Sequence, residues 1–521
     1  MQQKKLTRLF NNFNFIFVLA IISFFVTKYY SSQGVMPLDN FVLYNGGYKV
    51  LNGYVPFNDY WLVTGPLLDY LNAFYFKIFG VNWSAYTSHS ATFNSIITIL
   101  TYIFLISIGL KKEWSFIYSL FFAFLMYPVV GTPFVDHHST IFLLIGYYLF
   151  IISIVSKRYN ILYFIPLIMV LGFFSKQTPV AYGIFGIIFS VCLLFFIDKK
   201  ECFQLFRYLI FGSAGAIIFI FAFFAITKIN FQNFYTQYIL FSQTIGKFRL
   251  SQYQFEFFPI INQFKFIIFY LIFISYFLYK SVIKNQKKDY VVLSIVLLLS
   301  LILIFHQLIT LNQEFIFFLI PLLAGITHKY LIKIKINSNY LLILSIIICF
   351  IGTAKYHYRF NELRKFNELE KVNLDLSQDA NQIHKSLDGL KWITYLNPND
   401  PVFEINQLKK ALDLISNNSK NKMLITQYQF IGPALKIFDN SPNQWHHATV
   451  SFPVKGQKYF DEYKNYFVDK IIKRKIDGIY VIGKEDENTP QLVLDRDCLN
   501  KEIIDEIIFY YSINKKCKDF K

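Results

Sequence analysis

The stretch from Val291 to Phe305 reads VVLSIVLLLSLILIF, fifteen residues without a charged side chain. Similar uncharged apolar runs cover Phe13 to Val26 and Ile96 to Leu110. In lipid a helix satisfies its own backbone hydrogen bonds, so apolar runs that approach about 18–20 residues favour transmembrane helices. One such run could be a helix buried in a soluble core, but a series of them predicts a polytopic membrane protein.

The composition agrees with this interpretation. The chain has 521 residues, of which 55% are hydrophobic and 16% charged, whereas a soluble domain carries about 25% charged residues. The formal charge is +18. Residues 1–354 hold 25 Lys and Arg against 10 Asp and Glu, and the remainder holds 26 against 23. The basic excess therefore belongs to the membrane part, where basic loops set orientation, and no basic tract of a nucleic-acid-binding type is present.

We predict about eleven spans. They lie near residues 13–30, 89–110, 114–130, 139–156, 160–175, 179–197, 208–227, 264–280, 290–306, 313–328 and 339–354. If the N-terminus is inside, the inner segments hold 17 Lys and Arg and the longer outer segments hold 8. Cytoplasmic loops carry the excess of basic residues, which predicts an N-inside, C-outside orientation.

Two domains are expected. Residues 1–355 form the transmembrane domain, whose first outer loop covers 29–88 and contains an apolar segment, 65–76, that should lie along the membrane surface. Residues 356–521 have charges of both signs and shorter apolar runs, which predict a soluble extracytoplasmic α/β domain. Within it we expect strands at 422–426 and 476–483, with a helix at 459–473 between them. Cys498 and Cys517 both belong to this external domain, where a disulfide is plausible.

The first outer loop carries the clearest functional pattern. The acid Asp39 follows the first span and precedes Asn40, residues 53–59 read GYVPFND, and residues 65–67 read GPL. This arrangement resembles the polyprenyl-phosphate-sugar-dependent glycosyltransferases of the GT-C fold, the bacterial relatives of protein mannosyltransferases and of lipid A aminoarabinose transferases. The resemblance covers about residues 10–200. That family has Asp-Glu or Asp-Asp where this chain has Asp39-Asn40, so a role that needs a second adjacent carboxylate is open.

The resemblance implies an inverting hexosyl- or pentosyltransferase that moves a sugar from a polyprenyl-phosphate donor to a hydroxyl of a lipid, glycan or protein acceptor. The reaction would take place at the outer face of a bacterial inner membrane. A carboxylate in hydrogen-bond reach of the acceptor hydroxyl acts as a general base, a role that we assign to Asp39. A helix cap or loop hydrogen bond is the structural alternative for this residue. The pattern calls for no cofactor and leaves a divalent metal open.

The other candidate residues would bind substrate. Lys176 and Gln177, in the order Lys176-Gln177-Thr178-Pro179, resemble the family's K-Q-x-G element without its glycine, and Lys176 would hold the donor phosphate. A lysine that snorkels to the headgroups is the alternative. Asp136 and His138 precede the predicted span 139–156, where polar residues also occur for purely structural reasons. Asp59 is as well placed to stabilise its turn as to serve the site.

Two other classes of function remain in competition. A lipid-linked glycan flippase or other transporter would also be polytopic, but should show internal repeats and helices interrupted at mid-depth. A polysaccharide polymerase is chemically closer, but would bring arginines in its large outer loops, where the second such loop has only Arg249. The predicted spans carry almost no ionisable groups, which favours chemistry at the outer interface over ion-coupled transport.

Overall fold

The computed structural model describes residues 2–126, 130–311, 315–334 and 339–514, and side chains from residue 14 onward. Most of this chain is helical. The helices of the first 357 residues are α1 (Gln2–Ser31), α2 (Pro37–Asn40), α3 (Val42–Leu51), α4 (Leu67–Phe79), α5 (Trp83–Ser107), α6 (Lys112–Leu125), α7 (Val135–Ser156), α8 (Ile165–Ser175), α9 (Val180–Ile197), α10 (Lys199–Thr227), α11 (Phe231–Phe234), α12 (Ser242–Gln252), α13 (Phe257–Ile283), α14 (Lys287–Ile309), α15 (Leu319–Lys333) and α16 (Asn339–His357).

A helix lies within each of the eleven predicted spans. Eight helices in the described part of the chain are long and apolar enough to cross a membrane: α1 from Asn14, then α5, α7, α9, α10, α13, α14 and α16. The other three, α6, α8 and α15, have 14, 11 and 15 residues. The chain is therefore a polytopic helical membrane protein, and the number of spans stays a prediction. The ends of two predicted spans, at residues 127–129 and 313–314, lie outside the described residues.

Capping side chains explain why some helices begin earlier than predicted. The side chain of Asn82 accepts a hydrogen bond from the Ala85 amide at 2.8 Å, so α5 begins at Trp83 instead of residue 89. Asp198 accepts from the Glu201 amide at 3.1 Å, so α10 begins at Lys199 instead of residue 208. Such caps satisfy amides that have no partner within the helix.

The first outer loop is mostly helical, which the sequence indicated only in part. The apolar segment predicted at 65–76 forms α4, and its place relative to the bilayer stays a prediction. The short helix α2 and the ten-residue helix α3 were not expected. Helix α3 contains adjacent glycines, and a Cβ atom on Gly47 would approach the Asn72 Cβ to 2.5 Å. The missing side chain therefore permits the close packing of α3 against α4.

The C-terminal domain is a small α/β unit. Its helices are α17 (Pro401–Asn417), α18 (Ile431–Leu435) and α19 (Phe460–Lys473), and its strands are β1 (Gln378–Asp379), β2 (Lys391–Trp392), β3 (Lys422–Thr426), β4 (Gly478–Ile482), β5 (Leu499–Asp505) and β6 (Ile508–Ile513). The main sheet has the order β3-β4-β6-β5, with β3 and β4 parallel and the other neighbours antiparallel. The expected strands at 422–426 and 476–483 and the helix at 459–473 are confirmed.

Alternating side chains place helices on both faces of this sheet. Met423 and Ile425 pack in one cluster with α19, while Leu424 packs in another cluster with α17. Successive residues of a strand point to opposite faces, so each face of β3 requires its own helix. The antiparallel hairpin of β5 and β6 was not predicted.

The C-terminal domain is joined to the first outer loop by backbone pairing. The amides of Gly34 and Val35 donate to the carbonyls of Lys391 and Ile393, both at 3.0 Å, and the Lys391 amide donates to the Ser32 carbonyl at 2.9 Å. Gly34 has φ +67°, and a Cβ atom there would approach Leu369 to 2.4 Å. The segment that leads to Asp39 therefore pairs with β2 through an isolated parallel bridge between Gln33 and Lys391.

A second junction lies at the far end of the same loop. The Trp61 amide donates to the Pro442 carbonyl at 2.7 Å, and the Gln444 amide donates to the Trp61 carbonyl at 3.1 Å.

Helix α16 continues to His357 and a π-helical turn follows at 358–362, so the helical structure passes the expected domain boundary at 355 by a few residues. Cys498 is disulfide-bonded, while Cys517 lies outside the described residues.

Candidate functional site

Asp39 lies in the first turn of the short helix α2, directly after the segment that pairs with β2. Pro37 occupies the start of this helix, where its missing N–H is no loss. Asn40 supplies the anchor: its side chain accepts from the Met36 amide at 2.7 Å and donates to the Val130 carbonyl at 2.8 Å. Asn40 is therefore a buried structural residue that fixes the position of Asp39.

The carboxylate of Asp39 is partly exposed and does not cap a helix. Trp445 of the C-terminal domain donates a hydrogen bond from Nε1 to Oδ1 of Asp39 at 3.3 Å. Burial raises the pKa of Asp39 to about 6; the bond from Trp445 and the charge of Lys176 oppose this rise, and the charge of Asp136 adds to it. An aspartate in water has a pKa of about 3.9, and the pKa of Asp39 is higher because protein atoms replace water around this carboxylate.

Lys176 and Asp136 form an ion pair whose two charges act on Asp39. The Lys176 Nζ donates to the two carboxylate oxygens of Asp136 at 2.6 and 2.7 Å. The side chain of Asp136 is 1% exposed and that of Lys176 is 15% exposed. Lys176 follows the last residue of α8, and Asp136 lies in the first turn of α7, which begins four residues earlier than predicted. A carboxylate is favoured at that helix end.

Two residues that sequence reasoning did not include extend this cluster. The Nε2 atom of the buried His306, near the end of α14, is 3.5 Å from Oδ1 of Asp136. Arg249 of α12 also interacts electrostatically with Asp136 and with His306. The sequence contained one signal for Arg249, as the only arginine of the second large outer loop. It contained no signal for His306, which lies within a predicted span.

The remaining predicted residues serve mainly as supports. The Asp59 Oδ2 accepts from the Val55 amide at 2.8 Å and thereby closes its own turn. The Gln177 Nε2 donates to the Tyr238 carbonyl at 2.5 Å, which joins two outer segments. The Nε2 of the buried His138 contacts the Nε2 of His89 at 3.1 Å, and its other nitrogen contacts the Phe134 carbonyl at 3.0 Å. These contacts favour the structural alternative for each residue.

The site thus combines a carboxylate of raised pKa with a small group of cations. Lys176 and Arg249 are two cations that interact with the carboxylate of Asp136, and cationic side chains are the groups that bind an anion. Within the described residues, no three His, Cys, Asp or Glu side chains lie together as a metal-binding group. The arrangement can accept a proton at Asp39 and bind an anion at the neighbouring cations.

Comparisons with protein-family models and with curated proteins find no match for this chain.

Proposed function

We propose that this protein is a membrane glycosyltransferase that moves a sugar from a polyprenyl-phosphate donor to an acceptor hydroxyl, with Asp39 as the general base. One observation carries the proposal: Asp39 accepts a hydrogen bond from Trp445 of the C-terminal domain and interacts electrostatically with Lys176 and Asp136, which form an ion pair. A base and an anion-binding group in one place are what this transfer requires. The proposed site belongs to the outer face of a bacterial inner membrane.

The chemistry follows from these residue types. The acceptor oxygen attacks the anomeric carbon of the sugar while Asp39 takes the hydroxyl proton. The bond between that carbon and the phosphate oxygen breaks, and polyprenyl phosphate leaves with the bonding electrons. A base works best when its pKa is near the working pH, so a pKa of about 6 suits Asp39 better than the ordinary value.

The departing phosphate gains negative charge, which needs cations or hydrogen-bond donors nearby. Lys176 provides the first cation, and its pairing with Asp136 holds the ammonium group in one place. Arg249 provides the second, and a guanidinium can bind two phosphate oxygens at once. We therefore assign donor binding to Lys176 and Arg249, with Asp136 and His306 as positioning residues.

The test uses the purified full-length chain in lipid nanodiscs with a panel of polyprenyl-phosphate sugars. Release of polyprenyl phosphate and transfer of labelled sugar are measured together. We expect turnover with at least one donor and loss of turnover in Asp39→Asn, while the matched control Asp59→Asn retains it. Movement of intact donor across the bilayer without cleavage would overturn the proposal and favour the flippase alternative.

A further inference from the structure

The C-terminal domain presents a polar and aromatic surface next to Asp39 that the proposed reaction has not yet used. We call it the Trp445 face and define it by Tyr395, Trp445, His447 and Glu485, with the buried Gln427 bonded to Glu485. Its position is fixed by the two junctions with the first outer loop, of which the nearer is the backbone bond from Gln444 to Trp61.

Trp445 is only partly exposed within this face, because it also packs against a cluster of buried apolar side chains. The residues on either side of it, Gln444 and His446, are buried, whereas Trp445 is only partly buried. The other tryptophan of this domain, Trp392, is fully buried and packs against Phe41 and Phe430. No aromatic ring packs against Trp445 in the part of the chain that the structure describes. The exposed part of this indole, whose N–H already donates to a carboxylate, is available to a ligand.

Glu485 supplies the polar part of the face. It is exposed and follows β4, at the carboxyl end of the parallel pair β3–β4. Its carboxylate accepts hydrogen bonds from Gln427 Nε2 at 2.7 Å and from the Tyr395 hydroxyl at 3.2 and 3.3 Å. By contrast, the next residue, Asp486, is buried and accepts from the Gln427 amide at 3.0 Å. Ligands of α/β sheets commonly bind outside the carboxyl ends of parallel strands.

Electrostatic interactions show that the face adjoins the site. Burial raises the pKa of Tyr395, and the charges of Glu485 and, more weakly, Asp39 raise it further. Partial burial lowers the pKa of His447, and the charge of Arg249 lowers it further. The charge of Glu485 raises this pKa. Asp39 is the residue that we assigned as the base, and Arg249 is one of the two residues that we assigned to the donor phosphate. The Trp445 face therefore continues directly from the proposed reaction centre.

We propose that the Trp445 face binds the acceptor and that the acceptor is a carbohydrate. A sugar ring has an apolar C–H face, which matches the exposed part of an indole, and neighbouring hydroxyls, which match a carboxylate and a phenol. A sugar that stacks on Trp445 would present a hydroxyl to Asp39, because the same indole donates to that carboxylate. This inference rests on the proposed function and selects one of its three acceptor classes.

The test measures carbohydrate binding separately from catalysis. Saturation-transfer NMR is recorded on the full chain in nanodiscs with methyl glycosides of common hexoses and N-acetylhexosamines as probes. We expect at least one glycoside to bind the wild-type protein, and Glu485→Gln and Trp445→Ala to weaken it about 10-fold or more. Trp445→Phe, which keeps a ring, should bind within a few-fold of wild type. Glu487→Gln is the matched control, because Glu487 pairs with Lys501 instead.

Each outcome decides the inference. Absence of binding by every glycoside, or equal binding by wild type, Glu485→Gln and Trp445→Ala, would overturn it, as would transfer of sugar to a serine peptide but to no glycoside. Release of polyprenyl phosphate is followed in parallel. Glycoside binding without cleavage of any donor would refute the transferase function while keeping the carbohydrate-binding face, so the two failures are distinguishable.

Discussion

The indole of Trp445 donates a hydrogen bond to Asp39 across 3.3 Å, although the two residues are 406 positions apart in the chain. Asp39 follows the first apolar helix, and Trp445 belongs to the C-terminal α/β domain. The bond stabilises the ionised form of the carboxylate, against the burial that raises its pKa. The C-terminal domain is thus in a position to control the protonation of the proposed base.

Replacement of Asp39 by asparagine should lower turnover by about 10²-fold or more, because the shape is kept and the base is lost. Donor affinity should remain close to wild type. The wild-type rate should rise with pH through about 6, where Asp39 ionises, and the variant should lose this limb of the profile. Rates and donor affinity measured from pH 5 to 8 test this. If Asp39→Asn turned over at the wild-type rate, Asp39 would not be the general base.

Replacement of Trp445 by phenylalanine should move that limb to higher pH. The variant loses the indole N–H that stabilises the ionised carboxylate, so the pKa of Asp39 should rise above about 6. The rate near pH 6 should therefore fall, while the rate at pH 8 should change little. An unchanged pH profile would show that the bond to Trp445 does not influence the base.

Replacement of Lys176 by alanine should have two effects that a second substitution separates. Donor affinity should fall about 10-fold or more, and the stability should fall by about 3 kcal/mol because the buried Asp136 loses its ammonium partner. Adding Asp136→Asn should restore the stability but not the donor affinity. Lys247→Ala, an exposed lysine of α12, is the control. If the double variant recovered donor affinity, Lys176 would have a purely structural role and would not bind the donor.

Asp69 should make stability depend on pH. It is fully buried and accepts from Tyr60 and Gln444 at 2.6 and 2.7 Å. Burial raises its pKa from 3.8 to about 7, so folding favours the protonated form and stability is lost as pH rises through this interval. Relative to wild type, Asp69→Asn should gain roughly 4 kcal/mol between pH 4 and 8, about 1.4 kcal/mol per pH unit. Denaturation midpoints of both proteins across this range test it, and a constant difference would contradict it.

The orientation is tested by reporter fusions. Basic residues concentrate on alternate loops, so a reporter after Ser338 should be cytoplasmic and one after Lys521 external.

Thiol labelling of denatured, unreduced protein should miss Cys498, because this residue is disulfide-bonded. A cytoplasmic C-terminus would reverse the sidedness of every proposed site residue.

Local patterns in the sequence predicted the elements well. Uncharged runs located a helix in all eleven expected segments, because a helix in lipid depends on the apolarity of its own residues. In the C-terminal domain, β3, β4 and α19 followed from residue spacing that each segment carries by itself. Helix ends were less predictable, since single capping side chains such as Asn82 and Asp198 decide them.

The sequence by itself determined that this is a polytopic membrane protein with a small α/β domain, and it identified Asp39, Asp136 and Lys176 as candidates. Only the tertiary structure decided what these residues face. It paired Lys176 with Asp136, brought Arg249 and His306 to them, and placed Trp445 on Asp39. The physical reason is that hydrophobic periodicity is a local property, whereas the pKa of a carboxylate depends on the charges, donors and burial that distant segments provide.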